Sequence, residues 1–138
     1  MKKRSISALA ILLCLFSLCA CKADTKKNLW DGATYSEDAE LGSGAKCAVV
    51  EVEAEEKAIT FTINTDKTTV GEALVEHNLI DGEEGPYGIY IKAVNGITAD
   101  YDVDKTYWSF YINDNYATSG VDTTPLKEGE TYRLVYTK

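Results

Sequence analysis

"AVVEVEAEEKAITFTIN", residues 48–64, decides the fold class. Val50, Val52 and Ala54 alternate with Glu51 and Glu53; after Glu55-Glu56-Lys57 the alternation resumes with Ile59, Phe61 and Ile63 against Thr60 and Thr62. A period of two broken by a polar triplet predicts a β-hairpin with one buried face. The acids on its other face are solvated strand surface that discourages edge pairing.

Downstream, "TTVGEALVEHNLIDG" (68–82) changes to helical spacing, with Val70, Ala73, Leu74 and His77 at i, i+3, i+4 and i+7. Thr69 with Glu72 three residues later has the form of a capping box, and Asn78 and Gly82 offer C-terminal stops. His77, the only histidine, reads as a packed or capping residue. "YGIYIKAVNGI" (87–97) predicts a strand turned by Asn95-Gly96. "TYWSFYIN" (106–113) alternates Trp108, Phe110 and Ile112 against Tyr107, Ser109 and Tyr111; Asn113-Asp114-Asn115 then reverses it into a short "YAT". "YRLVYT" (132–137) closes the sheet. A hairpin, one helix and further strands predict an α+β fold, a single β-grasp-like (ubiquitin-like) domain in which one helix packs on one face of a mixed sheet. The opposite face and its loops are then where rings stay open to solvent.

Working toward the N-terminus, Lys2, Lys3 and Arg4 precede an apolar run from Ile6 to Leu18, the pattern of an export signal and too short to span a bilayer. Leu18-Cys19-Ala20-Cys21 resembles a bacterial lipobox, which makes residues 1–20 a lipoprotein signal peptide and Cys21 the lipidated residue. An ordinary signal peptide cut after one of the small residues is the other reading. Residues 21–46 read as the lipidated cysteine and a flexible polar tether reaching roughly 25–30 Å, in which Leu29, Trp30 and Tyr35 are unusual and suited to docking on the domain. The domain itself is expected over 47–138. The protein is thus expected at the outer face of the bacterial cytoplasmic membrane, held by its lipid anchor.

The formal net charge is −8. Loss of residues 1–20 removes three of the fourteen basic residues and none of the twenty-two acidic ones, leaving −11. Nucleic acid is therefore excluded as a partner by charge. Of the four cysteines only Cys47 lies beyond the leader and its lipobox, so no intrachain disulfide is available; beside Ala48, Val49 and Val50 it reads as a small hydrophobe. No nucleophile motif surrounds Cys47 or His77, and no enzymatic activity is expected. Asp100, Asp102 and Asp104 match the first ligand positions of a calcium loop, but Lys105 stands where the turn glycine belongs and Tyr111 where the bidentate glutamate belongs. No metal site is expected, and no zinc pattern is present.

What remains is binding. Nine tyrosines and two tryptophans offer stiff contact area with polar tips. The candidates are Trp108 and Tyr116 with the amides and hydroxyls of Asn113, Asn115, Thr118 and Ser119, groups that hydrogen-bond a ligand or close their own turns.

"VGEALVEHNLI", "YGIYIKAVNGITADYDVDKTYWSFYINDNYATSGVD" and "LKEGETYRLVYT" resemble the domain of unknown function 4430 family of bacterial lipoproteins. The resemblance covers residues 48–138 and is carried by Tyr107-Trp108, Asn95-Gly96-Ile97, Gly120-Val121-Asp122 and Gly129-Glu130. That family in turn resembles the C-terminal β-domain of the transcobalamin and intrinsic factor proteins, which caps a corrin ring while a helical barrel holds its other side. The resemblance implies that the strand at Trp108 and the loop from Asn113 to Gly120 face the ring, with a helical-barrel partner protein to supply the other side and a transporter to receive the ligand. The expected function is a cell-surface lipoprotein module that captures cobalamin, another corrinoid or a similar small ligand for uptake. A protein–protein or cell-wall glycan interaction module is the alternative. No cofactor is expected, a corrinoid entering as ligand.

Overall fold

Residues 27–138 are described in the computed structural model. Their strands are β1 (Ala39–Leu41), β2 (Lys46–Ala54), β3 (Lys57–Thr65), β4 (Ile80–Gly85), β5 (Gly88–Val94), β6 (Ile97–Thr98), β7 (Tyr107–Ile112), β8 (Asn115–Tyr116) and β9 (Thr131–Thr137). Helix α1 (Val70–Glu76) follows β3, and α2 (Tyr101–Asp104) precedes β7. The hairpin forms as its alternation dictates: Val50 lies opposite Phe61 and Val52 opposite Ile59, all four buried, while Glu51 and Glu53 face outward. Strand β9 lies parallel to β2, with Val50 beside Tyr132 and Val52 beside Leu134, and β7 pairs antiparallel with β9. The main sheet runs in the order β1-β3-β2-β9-β7-β8, parallel and antiparallel pairs mixed.

Helix α1 begins as its capping box predicts: Thr69 Oγ1 accepts from Glu72 N–H at 3.2 Å, and Glu72 Oε2 accepts from Thr69 N–H at 3.1 Å. Its carboxyl is held below the usual range by hydrogen bonds, foremost from the Thr68 side chain. The helix buries Val70, Ala73 and Leu74. Asn78, at φ 54, ends it.

Two features depart from the expected single sheet with one helix. Strand β4 occupies "IDGEEG", where Gly82 was expected only to stop the helix; β4, β5 and β6 form a second sheet. Only Ile80 of β4 is buried, so no alternation announces the strand; its pairing with β5, across a bulge at Asp81/Gly82, makes it one. The second helix, α2, is capped by Asp100, whose Oδ1 accepts from Asp102 N–H at 3.0 Å. Asp104 Oδ1 accepts from the N–H and hydroxyl of Thr106, so two of the three aspartates are engaged in local turn bonds.

The polar stretch expected as a tether folds onto the sheet from Asn28 onward, which sets the folded boundary well before residue 47. A 3-10 turn at Leu29–Gly32 buries Trp30, whose Nε1 donates to Ala54 O at 3.0 Å. Tyr35 sets its ring edge-on to Phe61, centroids 5.4 Å apart. Asn95, fully buried in the β5–β6 turn, accepts from Tyr35 N–H at 2.9 Å and donates to Tyr35 O at 2.8 Å. Strand β1 then pairs parallel with β3. Apolar rings supply the burial that the segment's mean polarity conceals. The leader, Cys21 and residues 22–26 lie outside the described residues.

Tyr132 is fully buried; its hydroxyl accepts from Lys127 N–H at 2.8 Å and donates to Glu130 Oε2 at 2.8 Å. Burial pushes this phenol up to about 12. Because the folded value lies above the unfolded one of about 10, the stability it contributes is complete below pH ~10 and is lost as pH rises toward ~12. Tyr132→Phe should lower stability at neutral pH by about 1 kcal/mol and flatten this alkaline loss in pH-resolved urea denaturation. Trp30→Ala should cost about 3 kcal/mol, and a chain beginning at residue 46 should unfold at lower urea than one beginning at 27. Equal midpoints for the two chains would restore the tether reading.

Candidate functional site

The six residues expected to bind ligand do not share one surface. Trp108 is 8% exposed, its Nε1 donates to Ile97 O at 3.1 Å, and its ring meets Tyr136 edge-on at 5.6 Å. The second sheet packs over this part of β7, so the indole is core and not a ligand platform. This corrects the expectation that Trp108 lies on an open face, which assumed a single covering helix. Asn113, at φ 47, accepts through Oδ1 from Thr131 N–H at 2.9 Å and donates its own N–H to Thr131 O at 2.8 Å. Asn115 Nδ2 donates to Asn113 O at 3.1 Å. Asn115 thus closes the β7–β8 turn, and Asn113 ties it to the start of β9. Ser119 Oγ lies 3.1 Å from Thr124 Oγ1, and Thr118 is exposed. Tyr116 alone among the six keeps a large exposed ring, 63% open and set edge-on to Tyr111 at 5.4 Å.

A concave surface forms instead at the opposite end of β7, and none of the six residues lines it. A cavity of about 420 Å³ opens where the N-terminal segment meets the main sheet. Its inner wall is Tyr136, the ring against Trp108, with buried Thr106 just before β7 and half-buried Leu29. Glu55 enters from the β2–β3 turn and Asp104 from the end of α2, while Asn28, Lys27 and Lys138 edge the opening. Among the described residues, Lys27, Lys138 and Glu55 join no ion pair within 4.0 Å. Glu55 has φ 56, a left-handed conformation uncommon for a residue with a side chain. The sequence signal for this site was Leu29, unusual with Trp30 and Tyr35 in a polar segment; nothing local tied it to Tyr136.

Two smaller concavities lie on the second sheet. One, about 260 Å³, is bounded by Tyr90, Tyr101 and the pair of Lys92 Nζ with Glu83 at 3.1 Å, whose hydrogen bond raises the lysine. The other, about 170 Å³, sits at the β4–β5 tip beside Tyr87, which is 91% exposed. Among the described residues no three His, Cys, Asp or Glu side chains converge as metal ligands. Cys47 is half-buried, and His77 Nε2 lies 3.8 Å from Glu76; no hydrogen bond joins Cys47 to His77 within the described residues.

The family model described as Domain of unknown function (DUF4430) matches residues 67–138, from the start of α1 through β9. The chain belongs to the DUF4430 family. A crystal structure of a protein provisionally described as metal binding, from Ruminococcus gnavus ATCC 29149, is similar to this DUF4430 chain at 30% identity and TM-score 0.65, covering 68% of this chain and 98% of that one. Haptocorrin in complex with Cbi is similar at 18% identity and TM-score 0.49, with 71% of this chain aligned to 27% of haptocorrin. Comparison with curated proteins finds no match.

The burial of Trp108 has a direct consequence for mutation. Trp108→Ala should destabilise the DUF4430 domain by about 3–5 kcal/mol, read as a lowered denaturation midpoint. An unchanged midpoint would return Trp108 to the surface.

Proposed function

We propose that this DUF4430 chain is a non-catalytic binding module that captures a small ligand in the cavity between its N-terminal segment and the β7–β9 end of the main sheet. The observation that carries this is the cavity of about 420 Å³ lined by Tyr136, whose ring meets Trp108 edge-on. Its volume lies in the range of small-molecule pockets, roughly 300–1,000 Å³, and it combines an aromatic and aliphatic wall with a few charged groups. The export signal and Cys21 would hold this module at the outer face of the bacterial cytoplasmic membrane, passing its ligand to a transporter or a helical-barrel partner. The order β3-β2-β9-β7-β8, with α1 following the first hairpin, supports a β-grasp reading of the main sheet.

Within this function the sequence resemblance to cobalamin carriers nominates a corrinoid. A whole corrinoid would not fit within a cavity of about 420 Å³, so the macrocycle would lie across the opening above Tyr136 with one side chain entering. Equilibrium dialysis of the full chain in detergent against cyanocobalamin tests this. Retention is expected, weakened about tenfold or more by Tyr136→Ala, a loss of about 1.4 kcal/mol; no retention at about 1 mM ligand removes the corrinoid.

The interaction-module alternative draws on a separate observation. On the outward face of the main sheet Arg133 lies 4.9 Å over the Tyr111 ring, next to exposed Tyr116. Stacking rings beside a cation suit a sugar or a protein surface. Retention on cell-wall polymer that disappears in Tyr116→Ala would select that reading.

A further inference from the structure

We infer that the cavity's ligand is a small zwitterion of amino-acid type, a carboxylate and an ammonium joined by a short chain. The inference rests on the capture reading above and names its ligand class. The cavity presents both signs of charge: Lys27 and Lys138 supply ammonium groups and Glu55 a carboxylate. All three side chains are exposed, and none of them forms an ion pair within 4.0 Å among the described residues. They come from three separate elements, the N-terminal segment, the residue after β9 and the β2–β3 turn. An occupant with a matching pair of charges can engage them through charge-assisted hydrogen bonds without first breaking an internal pair. Asp104 is already engaged by Thr106, which leaves Glu55 as the ammonium's partner.

Glu55 carries a second, independent mark. It holds φ 56 at the first position of a two-residue hairpin turn, a place where glycine fits without strain. Backbone strain of this kind collects where a side chain is needed for something other than the fold. Here the strained position delivers to the cavity a side-chain carboxylate with no intramolecular partner among the described residues. Between the charges, Leu29 and the Tyr136 ring form an apolar wall. That wall suits a short aliphatic chain.

The test is calorimetric titration of the full chain in detergent with 5-aminopentanoate, with pentanoate and pentylamine, which each carry one of the two charges, and with cyanocobalamin as a fourth probe. The zwitterion should bind at least about tenfold more tightly than either singly charged analogue. Glu55→Gln should abolish its advantage over pentanoate, and Lys27→Ala with Lys138→Ala its advantage over pentylamine. Glu55→Gly relaxes the turn, so it should lose the zwitterion while its urea midpoint stays at or above that of the parent, separating loss of ligand from loss of fold. If the zwitterion is no better than its analogues while cyanocobalamin binds, the ligand class falls and the capture function stands; if none of the four binds, both fall. Unchanged zwitterion affinity in Glu55→Gln would also overturn the assignment.

Discussion

The parallel pairing of β2 with β9 is the constraint on which the other elements depend. Parallel neighbours cannot be joined by a tight turn; the chain leaves the main sheet after β3, re-enters it as β7 and β8, and only then places β9 beside β2. Val50 beside Tyr132 and Val52 beside Leu134 make that junction the centre of the core, all four fully or almost fully buried. Because the two strands run the same way, their exits lie at the same end of the sheet. Glu55 follows one exit, Tyr136 and Lys138 form the other, and antiparallel β7 begins there, just after Thr106. The cavity is a product of strand direction.

The long crossover also explains the covering of Trp108. Between β3 and β7 the chain builds α1 and a complete second sheet, and Val94 and Ile97 of that sheet join the same core as Trp108 and Phe110. Burying an indole leaves an N–H that must find an acceptor. Each tryptophan solves this with a backbone carbonyl, Ala54 O for Trp30 and Ile97 O for Trp108. Both rings thus stitch separate segments together, and Asn95 does the same with its amide across the turn to Tyr35. Side chains that look available for recognition in a linear reading are engaged in holding the layers.

Much of the fold was legible because its signals are local. The β2–β3 hairpin, the Thr69–Glu72 cap of α1, the Asn95-Gly96 turn and strands β5, β7 and β9 follow from spacing within short windows. Strand β4 was not legible, since a strand with one buried residue and three acids has no alternation to detect. Helix α2 was hidden by aspartates whose spacing resembled a metal loop. The N-terminal segment was masked by its polarity, although Leu29, Trp30 and Tyr35 marked the positions that dock.

Sequence alone determined the class of structure, a sheet-rich α+β domain, because side-chain periodicity and cap chemistry act between residues a few positions apart. Only the tertiary structure decided which rings are covered and where a cavity opens. Those outcomes depend on residues such as Leu29, Glu55 and Tyr136, distant along the chain and brought together by the direction in which β2 and β9 pair.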